Sequence, residues 1–142
     1  ADLAAQQEFG AAFRAALQRL AEPFRSVLER HLVHGVAAAE LADEVTVDAA
    51  VIDYAVRIVT TTRKWPGIAM GAGPRGSLAL VRAARAQAVL EGRDFVTPDD
   101  VVRIARPALR HRIALAPEMQ IEGRRVDQVL DALLLKVEAP RR

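Results

Sequence analysis

The sequence predicts an all-α helical bundle with at most a short two-stranded β contact. Three observations carry that reading. Apolar residues recur at steps of three and four through most of the 142 residues, which is the spacing of amphipathic helices. Hydrophobic residues make up 51% of the chain but aromatics only 4%, so the core must be built from Leu, Val, Ile and Ala. That composition suits closely packed helices better than a β-sandwich. Finally, Thr97-Pro98-Asp99-Asp100 is a well-marked helix start, with a capping hydroxyl, a proline for the first position and two acids facing the positive end of the dipole.

Taken in order, residues 2–21 place Leu3, Phe9, Phe13, Leu17 and Leu20 on one stripe. Pro23 ends or restarts that helix, because proline lacks an amide donor and clashes with the preceding turn. Phe24, Val27, Leu28 and Leu32 mark a second helix, which Gly35 terminates, and residues 36–44 read as a short helical turn. A long helix runs from about Asp48 to Arg63, with Val51, Ile52, Tyr54 or Ala55, Ile58 and Val59 on one face. Thr60, Thr61 and Thr62 weaken its end. Residues 64–74 form a glycine- and proline-rich connector. The next helix runs from Arg75 to about Glu91, with Leu78, Val81, Ala84 or Arg85, Ala88 and Val89 inward and Gly92 just past its end. The helix after Thr97 carries Val101, Val102, Ile104 and Ala105, and Pro107 kinks or divides it before Leu109. Residues 112–123 read as non-helical, with Ile113–Leu115 placed to pair with Ile68–Met70. Val126–Val137 forms the last helix, and the tail Pro140-Arg141-Arg142 frays.

The net charge of +2 does not by itself announce a nucleic-acid partner. The absence of Cys excludes a disulfide framework and any thiolate metal site, and fits a reducing compartment. No apolar run approaches the roughly 20 residues that span a bilayer, and residues 1–20 lack a signal-peptide core. The expected location is the cytoplasm.

The segment richest in chemistry is Gly71-Ala72-Gly73-Pro74-Arg75, which opens a helix. Its two glycines permit positive φ and close backbone approach, and Pro74 presets the helix entry. A helix N-terminus attracts anions, and an arginine adds a permanent charge with planar donors that match phosphate oxygens. Taken alone, these residues describe more readily a Gly-Pro loop feeding a helix whose first residue is exposed.

From about Val45 to Val137 an ordered set of segments resembles the C-terminal lid of the MoxR family of AAA+ ATPases. The set comprises Asp53-Tyr54-Ala55-Val56-Arg57-Ile58-Val59 with Thr62-Arg63, then Gly71 to Arg75, then Leu80-Val81-Arg82-Ala83-Ala84-Arg85-Ala86. It continues through Gly92-Arg93-Asp94-Phe95-Val96-Thr97-Pro98-Asp99-Asp100-Val101 to Pro107-Ala108-Leu109-Arg110-His111-Arg112. The family usually has Gly-Ala-Ser-Pro-Arg where this chain has Gly73 in third place, and the arginine stays in register. The resemblance implies a division into residues 1–44, a helical segment without an assignment, and residues 45–142, the lid subdomain. It also implies that Arg75 is the sensor-2 residue, reaching for the γ-phosphate of ATP in the cleft between lid and core, with Gly73 and Pro74 positioning the backbone. ATP and Mg²⁺ belong to the full-length parent. The implied partners are the parent's own AAA+ core, neighbouring subunits of a homo-oligomeric ring and von Willebrand factor A domain proteins, in a chaperone-like assembly role.

Nothing matches a Gly-x-x-x-x-Gly-Lys-Ser/Thr phosphate loop, and of the two lysines, Lys64 and Lys136, neither sits in a glycine frame. No catalytic residue or metal ligand is therefore expected within this chain. His31 and His34 have metal-pair spacing but no third ligand in view, and His111 reads as a helix-end residue. Asp99 and Asp100 are explained by their position after the cap. Arg82, Arg85, Arg103, Arg106, Arg110 and Arg112 read as solvated helix faces or a subunit contact, and Trp65 as packing over the connector. Two rival functions remain. Residues 20–44 resemble the start of a sigma-factor helix-turn-helix, a DNA-binding reading that lacks a recognition helix with polar and basic residues at its start. The other rival is a stand-alone helical adaptor that binds partner helices.

Overall fold

The computed structural model of the chain describes residues 2–22 and 24–140, the side chains of 2–6, 8 and 9 excepted. Helix α1 spans Asp2–Gln18 and α2 spans Phe24–Leu28, which continues as a π-helical turn over Glu29–Val33. Helices α3 (Ala38–Asp43) and α4 (Ala49–Thr62) follow, then strand β1 (Ile68–Met70) and helix α5 (Pro74–Leu90). Helix α6 (Pro98–Leu109) runs into a 3₁₀ turn at Arg110–Arg112, followed by β2 (Ala114–Leu115), α7 (Pro117–Ile121) and α8 (Val126–Lys136). The fold is thus all-α with one small antiparallel sheet, in which Ile68 faces Leu115 and Met70 faces Ala114. Among the described residues no helix is long and apolar enough to cross a membrane.

Local chemistry sets most of the helix ends. The Asp48 carboxylate accepts from the Ala50 amide at 2.7 Å and caps α4. Helix α5 closes in a Schellman turn: Arg93 N donates to Ala88 O and Gly92 N to Val89 O, with Gly92 at φ +69°. Gly35 ends the π-helical turn at the same φ of +69°. Pro23, Arg141 and Arg142 lie outside the described residues, as do the side chains of Leu3 and Phe9, and with them the expectations placed on those positions.

The core gathers Tyr54, Ile58 and Val59 of α4, Leu80, Ala84 and Ala88 of α5, Val101, Ala105 and Leu109 of α6, and Leu130 and Leu133 of α8. A parallel bridge between Thr46 and Phe95 ties the chain before α4 to the chain before α6. Trp65 packs half-buried against this core from the connector, as expected.

Several expectations need correction. Residues 112–123 are not free of helix, because α7 occupies Pro117–Ile121 with Pro117 at its first position. Pro107 does not divide α6, which continues to Leu109 and tightens to 3₁₀ only afterwards. Proline removes only its own amide, and the helix around Pro107 is held by packing of Val101, Ala105 and Leu109. Ile52 points outward from α4, and Leu20, Phe24 and Leu32 are exposed, because no described part of the chain covers them. Leu78 is 60% exposed, because α5 packs through Gly76, Leu80, Ala84 and Ala88 on its other side. The small residues there let α4 and α6 approach closely, an advantage that Leu78 could not offer.

Candidate functional site

The connector is anchored before it reaches Arg75. Thr62, fully buried, donates its hydroxyl to Val59 O at 2.6 Å and accepts from the Ala72 amide at 2.9 Å. Ala72 is itself buried in the core. Gly71 crosses the end of α4 so closely that a Cβ there would lie 2.6 Å from Arg63 N and 2.7 Å from Thr62 C. The threonine run read as a weak helix end therefore supplies the bond that holds the loop. Its only sequence signal was a hydroxyl at a helix terminus, and nothing in it marked Ala72 as the partner.

Neither Gly71 nor Gly73 adopts positive φ, contrary to the flexibility expected of them. Gly71 is required by close approach alone. Gly73 has φ −85° and ψ −177°, extended backbone open to any residue, and a Cβ there would meet nothing within 4 Å. It occupies the N-cap of α5 with no side-chain bond, and Pro74 follows at the first helical position. Gly73→Ser should accordingly raise stability by about 0.5–1 kcal/mol, through a capping hydroxyl and a less disordered unfolded chain. Thermal unfolding checks this, and a lowered melting temperature would refute the geometry.

Arg75 stands exposed in the first turn of α5. With Leu78, Ala79 and Arg82 it forms one stripe of that helix, since residues three, four and about seven apart share a face. Arg112, from the 3₁₀ turn after α6, closes the other side of an open pocket of about 440 Å³. The six arginines read as solvated helix faces or a subunit contact fall into two groups. Arg85 pairs with Asp43, Arg103 with Glu91, Arg106 with Asp131 and Arg110 with Asp127, while Arg82 and Arg112 turn to the Arg75 pocket. No carboxylate lines that pocket.

The start of α6 is tied to the turn that follows α5 by a buried carboxylate that capping alone does not account for. Asp100, 1% exposed, takes a two-pronged bond from Arg93 at 2.9 and 2.6 Å. It also accepts from the Thr97 amide at 2.7 Å and the Thr97 hydroxyl at 2.9 Å. Burial pushes the Asp100 carboxyl up, but the Arg93 guanidinium and the Thr97 donors together outweigh it and hold the pKa below its usual value. Arg93 is correspondingly raised by its bonds to Asp100 and Glu91. Asp99 stays exposed, as a first-turn acid should. His31 Nδ1 lies 2.8 Å from Val36 O at the helix end, and among the described residues no three His, Asp or Glu group to hold a metal.

The AAA lid domain family model matches residues 60–133, from the last turn of α4 to α8. The chain belongs to this family. The lid is 40% identical over 96 residues to the uncharacterized Bacillus subtilis protein YeaC, covering 68% of this chain and 30% of that protein. It is 36% identical over 112 residues to the Mycobacterium tuberculosis protein named chaperone MoxR1, covering 71% of this chain and 29% of that protein. A solved Cytophaga hutchinsonii structure, described as a candidate ATPase, superposes with a TM-score of 0.68 at 29% identity and covers 72% of the lid and 34% of that chain. The lid is thus of the MoxR-like AAA+ kind, and it spans about a third or less of the proteins it matches.

Proposed function

We propose that this lid closes over ATP bound by the AAA+ core of its parent and senses the γ-phosphate through Arg75, in a chaperone-like assembly role. The observation that carries the reading is Arg75 itself: it stands in the first turn of α5, facing a pocket lined by no acid, and no ion pair engages it among the described residues. An arginine at a helix start whose charge is not consumed locally suits an anion brought from outside the lid. Gly73 and Pro74 set where that turn begins, and Thr62 and Gly71 fix the loop that delivers it. The pocket offers no ligand for Mg²⁺, so the ion and the hydrolytic machinery fall to the core.

ATP in the closed cleft would supply the phosphate charge that Arg75 meets. Because Arg75 would bond ATP and the hydrolysed product differently, the angle of the lid would follow the nucleotide state. Residues 45–142 act as the lid proper and residues 1–44 as a helical approach from the core. The parent works in the cytoplasm as a homo-oligomeric ring, with von Willebrand factor A domain proteins as candidate partners.

In the full-length parent, Arg75→Ala should lower ATP turnover by about tenfold to a hundredfold, the worth of one charge-assisted bond of about 1.5–3 kcal/mol. Melting temperature should stay unchanged, since no described residue depends on that side chain. Normal turnover in the variant removes the role from Arg75.

A further inference from the structure

We infer that Arg82 and Arg112 join Arg75 as anion-binding residues, so that the pocket takes a compact polyphosphate rather than a single phosphate oxygen. This rests on the reading of Arg75 as a phosphate sensor and extends it to two residues with no assigned role. Eight other arginines of the described chain are engaged in ion pairs with carboxylates. The three, Arg75, Arg82 and Arg112, line one pocket with no acid among the lining residues. Like charges gathered without a counter-ion repel, and an incoming polyanion relieves that repulsion at three points at once.

Arg112 is held in a fixed geometry. Its Nε donates to Ala108 O at 3.2 Å, at the C-terminal end of α6, which sets the plane of the guanidinium. Both terminal nitrogens are left without a partner among the described residues, so a planar fork is presented already oriented. Arg82 lies two turns along α5 from Arg75 and points to the same side. The three cations thus converge from two elements on one open pocket of about 440 Å³. A nucleic-acid backbone would call for a stripe of cations spaced along a groove, whereas convergence favours a short chain of phosphates.

The test is titration of the 142-residue chain with inorganic tripolyphosphate at low ionic strength, followed by NMR of the arginine Nε–H signals. Saturable binding is expected, weakened about threefold to tenfold by Arg82→Gln and by Arg112→Gln at unchanged melting temperature, as loss of one of three charge contacts should do. Arg124→Gln, a control at an exposed arginine away from the pocket, should bind as the unaltered chain does. Arg112→Lys should not restore affinity, because lysine cannot reproduce the fixed fork. Unchanged affinity in either glutamine variant overturns the inference, as does the absence of saturable binding. Preferential binding of a short DNA duplex that displaces tripolyphosphate also overturns it. Loss of binding in Arg75→Gln alone would overturn the role of Arg82 and Arg112 but leave the Arg75 reading standing. Normal ATP turnover in the Arg75→Ala parent would remove that reading while leaving the anion pocket intact.

Discussion

Replacing Gly71 by alanine is expected to lower the melting temperature by roughly 10 °C, corresponding to a loss of about 3 kcal/mol. The added Cβ would lie 2.6 Å from Arg63 N and 2.7 Å from both Arg63 Cα and Thr62 C. These are backbone atoms of the last residue of α4 and of its C-cap, so no rotamer change relieves the overlap. The connector must lift, and lifting it breaks the bond from the Ala72 amide to the Thr62 hydroxyl and uncovers a residue that is 1% exposed. A buried donor left without an acceptor costs about 1–3 kcal/mol beyond the steric term. Because the same segment leads straight into Pro74 and Arg75, ATP turnover in the parent should fall with stability. Gly73→Ala is the control, since a Cβ at that position meets nothing within 4 Å. Thermal and urea unfolding of the two variants make the comparison, and a Gly71→Ala protein that melts with the unaltered chain would show that the close approach is not maintained in solution.

The second large effect is expected at Asp100. Asp100→Ala should cost about 3 kcal/mol, the low end for breaking a buried ion pair, because Arg93 retains Glu91 as a partner at 2.7 Å. Asp100→Asn should cost nearly as much: its amide turns a donor toward Arg93 or Thr97, where only acceptors serve. The pH dependence comes from the depressed carboxyl. Its folded pKa lies below the ordinary value of 3.8, so its stabilising contribution is full above that value and is lost as pH falls through the folded pKa. Stability should therefore drop on the acid side of about pH 4, and Asp100→Asn should flatten that slope. Glu91, also lowered by its bonds to Arg93 and then Gln87, leaves a smaller residual slope in the variant. Urea midpoints from about pH 2.5 to 7 read this directly, and an equal acid slope in both proteins would assign the pH dependence elsewhere.

The sequence by itself determined the elements whose signals are local. Asp48 and Thr97 cap helices within two or three residues of themselves, and Gly35 and Gly92 end them at positive φ. Such interactions close within one turn, so the residues that make them stand together in the chain. The pairing of Ile68–Met70 with the strand at Ala114–Leu115, and the family to which residues 60–133 belong, were also legible in the sequence, the second through an ordered set of motifs. Tertiary structure alone decided which side of α5 is buried: periodicity admits Leu78 as readily as Gly76, and only the approach of α4 and α6 selects the glycine side. It also decided that Thr62 would hold Ala72, ten residues on, and that Asp100 would be buried against Arg93. Arg82 and Arg112, thirty positions apart, meet at one pocket while their neighbours Arg85 and Arg110 find carboxylates. Helical spacing states the direction of a side chain around its own axis, but what that side chain meets depends on how the axes pack, and that is settled by contacts far apart in the chain.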